Sequence, residues 1–366
     1  MKKSGFTFVA LFILTISYML IGCAPEAVVK KYVLKKGILD DARKLTIDTI
    51  GIELINSSIA RDYFVYADSV LIVVNNKTSQ KEFIDFFNLK TSEKIISFFQ
   101  YGNGHLELLS ANVDLNKNTL IVNDFMKAQF SILNIDSVLK MKEYYNLTIS
   151  KHTMYGSPTV VSFNGNFIVE NPYCYFDEEN NILQGIEQGV PRFLSAMSSE
   201  GKNGDKYEHN PRNVAVDGRI IAKDNGKSLV YAHFGKSIVE FYNKELSLVK
   251  MVEGPKVMDI EYDRYKLKDN PQDQIIYKNK IPYSYLGYCC DDDYVYLMYI
   301  GDFYVNEKSI GTMNTYILKF DWDGNYYSCY ECGRYLTSIS KGNDPDVFYG
   351  TAINRDGEPF LIKMHL

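Results

Sequence analysis

Short patterns typical of β-strands recur along this chain at intervals of ~40 to 50 residues, and this repetition limits the possible folds more than any other sequence feature. Apolar residues alternate with polar ones and then lead into Asn or Asp at a turn, a pattern typical of half-buried strands. A second strand pattern precedes each copy. The clearest copies lie at Phe83–Asn88, Phe130–Asn134, Ser237–Asn243 and Tyr316–Asp321.

These units predict an all-β fold built from four-stranded sheets arranged in a ring, a β-propeller. The predicted blades span residues 58–100, 110–146, 158–188, 212–253 and 284–333, followed by a partial unit at 346–364. Lys44–Leu54 is a strand pattern without a hairpin partner, so we expect this N-terminal strand to complete the last blade and close the ring. The prediction is six blades, with seven as the alternative.

The first residues indicate export from the cytoplasm. Lys2 and Lys3 precede an apolar run, Phe6–Ile21, that is too short for a typical membrane span and suits a signal peptide. Leu20-Ile21-Gly22-Cys23 resembles the lipobox of bacterial lipoproteins, which implies cleavage before Cys23 and acylation of its thiol. The alternative is a plain secretory signal with an incidental cysteine. We predict a signal peptide at 1–22, a lipidated Cys23 with a tether at 23–42, and one propeller domain at 43–366.

A segment after the first predicted blade resembles a blade-to-blade link. Tyr101–Leu108 reads Tyr-Gly-Asn-Gly-His-Leu-Glu-Leu, which is similar to the Gly-x-Gly-x-x-Glu link of TolB-like and NHL-type propellers, although His-Leu stands where Pro-Gly or Pro-Asn is common. With the lipobox and the blade pattern, the chain resembles the TolB-like six-bladed propeller lipoproteins of Gram-negative gut anaerobes. This resemblance implies the fold and the envelope location, and it implies no particular ligand.

Net charge bears on whether the protein binds nucleic acid, and the cysteines bear on whether it has a redox or zinc site. The net charge is −5 and becomes more negative once the two leader lysines are removed, so nucleic acid is not an expected partner. Apart from Cys23, the mature chain has five cysteines, an odd number. Cys329 and Cys332 have the spacing of a redox or zinc half-site but lie in a strand-like segment, so we favour packed cysteines over a working redox pair.

Candidate ligand-binding residues lie mainly in two long connections, Gln188–Asn213 and Gly254–Tyr283. Loops of this length are uncommon without a role or disorder to explain them. Arginine and tyrosine there suit carboxylates, sugars or a peptide, and a solvated polar loop is the alternative. Arg192, His209 and Arg212 lie in the first connection and Arg264 in the second, and with His105 of the link after the first blade and His233 they are the candidates.

Catalytic signatures are scarce, so the sequence favours a binding role over an enzyme. Asp291-Asp292-Asp293 lacks the spacing of a calcium loop and is predicted to be a turn. We therefore expect a lipid-anchored binding or scaffold module, with its body in the periplasm, that recognises a peptide, glycan or envelope protein at its loop-rich face. No cofactor or metal is predicted. The alternative is a metal-dependent lactonase- or lyase-like propeller, for which calcium is the expected ion.

Overall fold

The computed structural model describes residues 30–35, 37–51, 60–75, 82–124, 126–127, 129–142, 148–151, 159–163, 166–170, 175–176, 182–183, 218–223, 226–244, 248–256, 258, 262–266, 273–277, 280–304, 312–354 and 357–366. The predicted signal peptide and Cys23 lie outside these ranges. In the described ranges, no helix is both long and apolar enough to cross a membrane.

Strands form nearly all of the regular structure. Three come first in the chain: β1 (Lys30–Val33), β2 (Arg43–Lys44) and β3 (Thr46–Ile50). The first blade is built from β4 (Ala60–Tyr66), β5 (Val70–Asn75), β6 (Glu82–Asn88), β7 (Lys94–Tyr101) and β8 (Glu107–Leu108). The second blade contains β9 (Asn112–Asn116), β10 (Thr119–Asp124), β11 (Gln129–Asn134), the short helix α1 (Ile135–Met141) and β12 (Thr148–Lys151).

Two hairpins follow, formed by β13 (Thr159–Phe163) with β14 (Asn166–Glu170) and by β15 (Tyr175–Phe176) with β16 (Ile182–Leu183). The third blade contains β17 (Gly218–Ala222), β18 (Ser228–His233), β19 (Ile238–Asn243) and β20 (Leu248–Glu253). A further hairpin pairs β21 (Tyr262–Lys266) with β22 (Asp273–Tyr277).

The last two blades complete the chain. The fourth contains β23 (Ile281–Cys290), β24 (Tyr294–Tyr304), β25 (Tyr316–Asp321) and β26 (Tyr326–Glu331). The fifth contains β27 (Leu336–Lys341), β28 (Val347–Ile353) and β29 (Pro359–His365), with β3 as its fourth strand. The four main strands of each blade are antiparallel neighbours, which is the order of a propeller blade, and the two-residue β8 pairs in parallel with β7 at the edge of the first blade.

The blades pack face to face, and each contact buries an apolar core. Separate clusters join the first blade to the second, the third to the fourth, the fourth to the fifth, and the fifth back to the first. This double-sided cover explains why Val70–Asn75 is buried along its whole length. Fully burying one of its Val, Leu or Ile side chains contributes about 1.5–3 kcal/mol.

The number of blades differs from the prediction. The described residues form five sheets of four or five strands, so the expectation of six blades, with seven as the alternative, is wrong. The difference arises in the unit predicted at 158–188, where the structure pairs strands only as the two hairpins β13–β14 and β15–β16. The propeller fold itself is confirmed.

The predicted closure of the ring is confirmed. β3 pairs antiparallel with β29, from Thr46 opposite His365 to Ile50 opposite Leu361. The partial last unit read from the sequence is therefore a complete four-stranded blade, because its outer strand comes from the other end of the domain. Closure of this kind leaves no unpaired sheet edge between the chain ends.

Strands from the N-terminal segment also extend two other blades. β1 pairs in parallel with β20 of the third blade, and β2 pairs in parallel with β26 of the fourth. Leu34, which follows β1, is 2% exposed and belongs to the core between these two blades. From Lys30 onward, the segment predicted as a tether therefore contributes to the sheets.

Buried hydroxyl groups join the fifth blade to the inner strand of the first. The backbone N–H groups of Tyr63 and Val65 donate to Thr351 Oγ1 and Ser340 Oγ, each at 3.0 Å. Ser338 Oγ donates to the Tyr63 carbonyl at 2.9 Å. Because these side chains are buried, the hydroxyls satisfy backbone groups of β4 that water cannot reach.

Replacing Thr351 with Val tests this junction. Val keeps the shape of Thr but leaves the Tyr63 N–H without its acceptor, so we expect a loss of about 1–3 kcal/mol in the free energy of unfolding, measured by urea denaturation. Thr351→Ser keeps the hydroxyl and should cost less than the Val variant. Equal stability of the Val variant and the unaltered protein would contradict the assigned role.

The two faces of the ring differ in their connections. The turn face carries the turns between the first and second strands of each blade, such as 67–69, 117–118 and 342–346, and the connections between the third and fourth strands. The link face carries the turns between the second and third strands and the links from one blade to the next. The link face corresponds to the loop-rich face of the sequence analysis.

Candidate functional site

The inner strands of all five blades line a narrow central cavity of about 70 Å³. Its wall includes the charged side chains of Asp62, Asp114 and Arg219, with the phenol of Tyr288 among them. Burial raises the pKa of Tyr288 well above its usual value, the Asp114 carboxylate raises it further, and the Arg219 guanidinium opposes the change. The cavity is polar and holds both signs of charge.

A wider basin of about 460 Å³ lies at the turn face, where the inner strands end. Leu115 lines both the cavity and the basin, so the two are adjacent along β9. The size of the basin is within the range of about 300–1,000 Å³ that is common for ligand sites. Its polar wall includes Tyr66, Lys117, Asn118, Asp136, Asp291 and Lys341.

One side of the basin is held together by Asp136 at the start of α1. Its Oδ1 accepts a hydrogen bond from the Tyr66 hydroxyl at 2.6 Å, and its Oδ2 accepts from Asn118 Nδ2 at 3.2 Å. Burial and the Asp136 carboxylate raise the pKa of Tyr66 to about 12. Tyr66 therefore stays protonated at neutral pH, and this wall offers a fixed carboxylate beside an aromatic ring.

The neighbouring wall carries a surface ion pair. Lys117 Nζ lies 2.6 Å from Asp292 Oδ1, and this contact holds the pKa of the Asp292 carboxyl below its usual value. The Asp292 side chain is 82% exposed, so the pair contributes little to stability. Lys117 can therefore exchange its partner for a ligand at low cost.

The third part of the wall is more rigid. Asp291 Oδ1 accepts the backbone N–H groups of Asp293 and Tyr294, and its Oδ2 accepts the Tyr296 hydroxyl at 3.0 Å. The Asp291 carbonyl accepts the indole N–H of Trp322 at 3.1 Å. The prediction that Asp291–Asp293 is a turn is confirmed, and it lies at the basin. The residues that the structure describes contain no group of three or more His, Cys, Asp or Glu that could hold a metal ion.

Lys341 adds a second amino group to the basin. Its Nζ lies 4.6 Å from the centre of the Phe348 ring and is also near the Tyr296 ring, at 5.3 Å. Burial lowers the pKa of Lys341, while Cys289 and Asp291 partly oppose that change. The basin therefore presents cationic, anionic, amide and aromatic groups around one opening.

The cysteines pack in the cores. Cys289 belongs to the core between the fourth and fifth blades, whereas Cys290 contacts the core between the third and fourth, as expected for adjacent residues in an extended strand. Cys329 and Cys332 are buried free thiols, and burial raises the pKa of Cys329 to about 12. The interpretation of these two as packed cysteines is confirmed.

Few of the ligand-binding residues predicted from sequence lie at the basin. His105 is exposed in the link between β7 and β8, at the link face. Arg264 lies in β21. The other predicted sites, Cys23, Arg192, His209 and Arg212, lie outside the described residues, so their roles stay predictions.

His233 is 1% exposed at the end of β18. Its Nε2 lies 3.6 Å from Oε2 of Glu240, which is fully buried and accepts the Tyr242 hydroxyl at 2.7 Å. The ring of His233 also contacts Tyr231 edge to face, with 4.8 Å between ring centres. These contacts place His233 in a buried polar cluster of the third blade, separate from the basin.

The segment Tyr101–Leu108 has the architectural role that its resemblance implied. Glu107 Oε2 accepts the Gly104 N–H at 2.6 Å, and Lys127 Nζ donates to the carbonyls of Gly104 and Glu107. A Cβ at Gly102 would lie 2.1 Å from the Glu107 carboxylate, so only glycine allows this close approach. The segment joins the first blade to the second and does not contribute to the basin.

Sequence reasoning missed the basin residues because the candidate site was assigned to the longest loops. Lys117, Asn118 and Asp291 lie in short turns that resemble ordinary surface turns. A usable signal was present, because each of these residues directly follows the inner strand of a blade. Inner strands converge on the axis, so their ends must meet around one opening.

Comparisons with known proteins do not assign this chain to a family. No family model matches the chain, and no curated protein matches it. A member of the DUF4221 family from Bacteroides vulgatus is 11% identical, with a TM-score of 0.47, and the match covers 88% of this chain and 96% of that one. A protein assigned as exported from Bacteroides fragilis is 10% identical, with a TM-score of 0.43 and coverage of 93% and 99%.

The Cps50 (Swd1) β-propeller domain from Myceliophteria thermophila is also similar, at 10% identity and a TM-score of 0.41, with coverage of 88% of this chain and all (100%) of that one. These similarities concern only the path of the backbone. The class of this protein, an all-β propeller, rests on the strand order and the cores between blades described above.

Proposed function

We propose that this protein is a lipid-anchored β-propeller of the bacterial envelope that binds a short polar segment of a peptide or glycan in the basin of its turn face. The observation that carries the proposal is the basin itself, which is ligand-sized, adjacent to the central cavity and lined by groups from several blades. A TolB-like relationship, implied by the lipobox and the link motif, is part of the same proposal.

The chemistry of the basin supports a ligand with both hydrogen-bond donors and acceptors. Lys117 and Lys341 supply donors, Asp136 supplies a carboxylate, and Asn118 supplies an amide. The half-buried ring of Tyr66 offers an apolar surface on which a sugar or side chain can stack. Peptides and glycans present this combination of groups, whereas a purely apolar ligand would leave the charges desolvated and unpaired.

The envelope location is supported by the N-terminal sequence. The charged start, the apolar run and Cys23 predict export and acylation, and a protein that carries two or more acyl chains is stably held on a bilayer. We propose that the body lies in the periplasm, anchored to the cell membrane or the outer membrane. Recognition of an envelope protein through an exposed peptide segment fits the same site.

Within the described residues, no observation favours the lactonase- or lyase-like alternative. Calcium binding was expected only under that alternative. We therefore develop the binding proposal. The sequence predicted the ligand site at His105, Arg192, His209, Arg212, His233 and Arg264, and of these His105, Arg192, His209, Arg212 and Arg264 remain candidates for a second contact region.

Trp322 provides a native reporter for testing the basin. It is the single tryptophan of the chain, and its indole N–H contacts the basin wall at Asp291. We expect its emission to change when a ligand from a panel of oligosaccharides and tri- to hexapeptides enters the basin. Lys117→Ala and Asp136→Asn should each weaken that binding at least about tenfold, which corresponds to loss of one charged hydrogen bond.

The matched control is Lys90→Ala, which removes an exposed lysine from the turn between β6 and β7, outside the basin lining. It should bind as the unaltered protein does. Binding that is unchanged in both basin variants would contradict the site. Melting temperatures of the variants show whether a loss of binding reflects unfolding.

A further inference from the structure

We propose that the turn face, with the basin in it, lies against the phospholipid headgroups of the bilayer when the protein is anchored. This inference rests on the proposed acylation of Cys23, and it adds the orientation of the propeller and the surface that meets the membrane. Three features support this orientation: the face at which β1 begins, the length of the chain before Lys30, and the side chains exposed around the start of β1.

The chain joins the propeller at the turn face. β1 starts with Lys30 opposite Lys250 and runs parallel to β20. β20 starts at Leu248, directly after its connection from β19, and such third-to-fourth-strand connections lie at the turn face. The chain then runs toward the link face, where the backbone N–H of Leu34 donates to the Glu253 carbonyl.

Side-chain contacts connect this starting point to the basin. Lys250 Nζ, beside Lys30, donates to Asn325 Oδ1 at 2.8 Å. Asn325 belongs to the turn between β25 and β26, and the same turn carries Trp322, whose indole donates to the Asp291 carbonyl at the basin. The start of β1 therefore lies at the rim of the same surface that contains the basin.

The preceding chain keeps Cys23 near this starting point. Residues 23–29 can span at most roughly 25 Å when fully extended, at about 3.4 Å per residue. An acyl group on Cys23 is therefore held within that distance of the start of β1, which favours the turn face as the side nearer the bilayer.

The surface around the starting point suits a headgroup region. Val249 and Tyr327 are 37% and 55% exposed, and both lie at the starts of outer strands on the turn face. Tyrosine is favoured at membrane interfaces because its ring is apolar and its hydroxyl hydrogen-bonds to water and headgroups. Met141 and Leu366 add exposed apolar side chains at the same face.

Fluorescence quenching in vesicles tests this orientation with a matched pair of variants. Tyr327→Trp places a probe on the turn face, and Tyr101→Trp places one on the link face, at positions that are 55% and 48% exposed. The lipoprotein, purified from membranes, is reconstituted in phosphatidylethanolamine–phosphatidylglycerol vesicles with a nitroxide-headgroup lipid. Trp322 is 6% exposed and common to both variants, so its signal is subtracted.

We expect the added tryptophan at 327 to be quenched at least twofold more than the one at 101. Suppose that the N-terminal peptide has the added mass of acyl groups. Equal quenching at the two positions, or stronger quenching at 101, would then overturn the proposed orientation but not the acylation of Cys23. An N-terminal peptide without acyl mass, in protein that stays off the vesicles, would overturn the anchor and this inference together. If Tyr327→Trp does not fold, Val249→Trp and Leu106→Trp form a second pair, at 37% and 38% exposure.

Discussion

A chain that starts at residue 51 instead of residue 24 is expected to lose its cooperative fold. Removal of 24–50 takes away β3 and exposes the edge of β29 from Leu361 to His365. It also removes Ile47 and Ile50, which pack against the cores on the two sides of the fifth blade. With net hydrogen bonds worth about 0.5–1.5 kcal/mol each and apolar side chains about 1.5–3, the loss should exceed roughly 5 kcal/mol, the lower end of a domain's net stability.

The control is a chain that starts at residue 46 and so keeps β3 while losing β1 and β2. This variant should melt at a lower temperature than the 24–366 protein, because Leu34 leaves its core, but it should still unfold cooperatively. Soluble yield and the thermal unfolding curve separate the two truncations. Similar yields and melting temperatures for both would show that closure by β3 is not needed for folding.

Asp124→Ala is expected to give the largest loss of any single substitution considered for this protein, about 3–5 kcal/mol. Asp124 is fully buried and accepts the Leu109 N–H and the Ser110 hydroxyl, each at 2.7 Å. It also accepts the N–H groups of Met126 and Lys127. These bonds hold the link between the first two blades against the turn that follows β10. Alanine would leave the Leu109 N–H and the Ser110 hydroxyl without this acceptor, whereas the Met126 N–H keeps Ser110 Oγ and the Lys127 N–H keeps the backbone carbonyl of residue 124.

Urea denaturation measures this loss, with Asp293→Ala as the control. Asp293 is exposed in the turn between β23 and β24, so its replacement should change stability by no more than about 0.5 kcal/mol. The loss of stability for Asp124→Asn should fall between those for Asp124→Ala and Asp293→Ala. The amide keeps one acceptor oxygen, but its NH2 group faces a backbone N–H. A loss below about 1 kcal/mol for Asp124→Ala would refute the role assigned to this carboxylate.

The candidate site was less predictable than the fold. Asp124 and Glu107 occur in the sequence as ordinary turn residues, and only their hydrogen-bond partners distinguish them from residues such as Asp293. Lys117 and Asp136 are 19 positions apart and become neighbours of one basin because β9 ends at the axis and α1 follows β11. Side chains that meet through the ring leave no local pattern, so their meeting could not be predicted from spacing.

Periodicity determined the strands, because alternating apolar residues can be buried on one face only in an extended chain, and the same local signal identified the N-terminal strand that closes the ring. The cysteine environments followed from the same alternation. The number of blades was decided by the tertiary structure, since a strand pattern at 158–188 does not ensure that four strands pair into one sheet. Pairing across the ring also placed β1 and β2 on other blades and formed the basin, because these contacts join residues that are far apart in the chain.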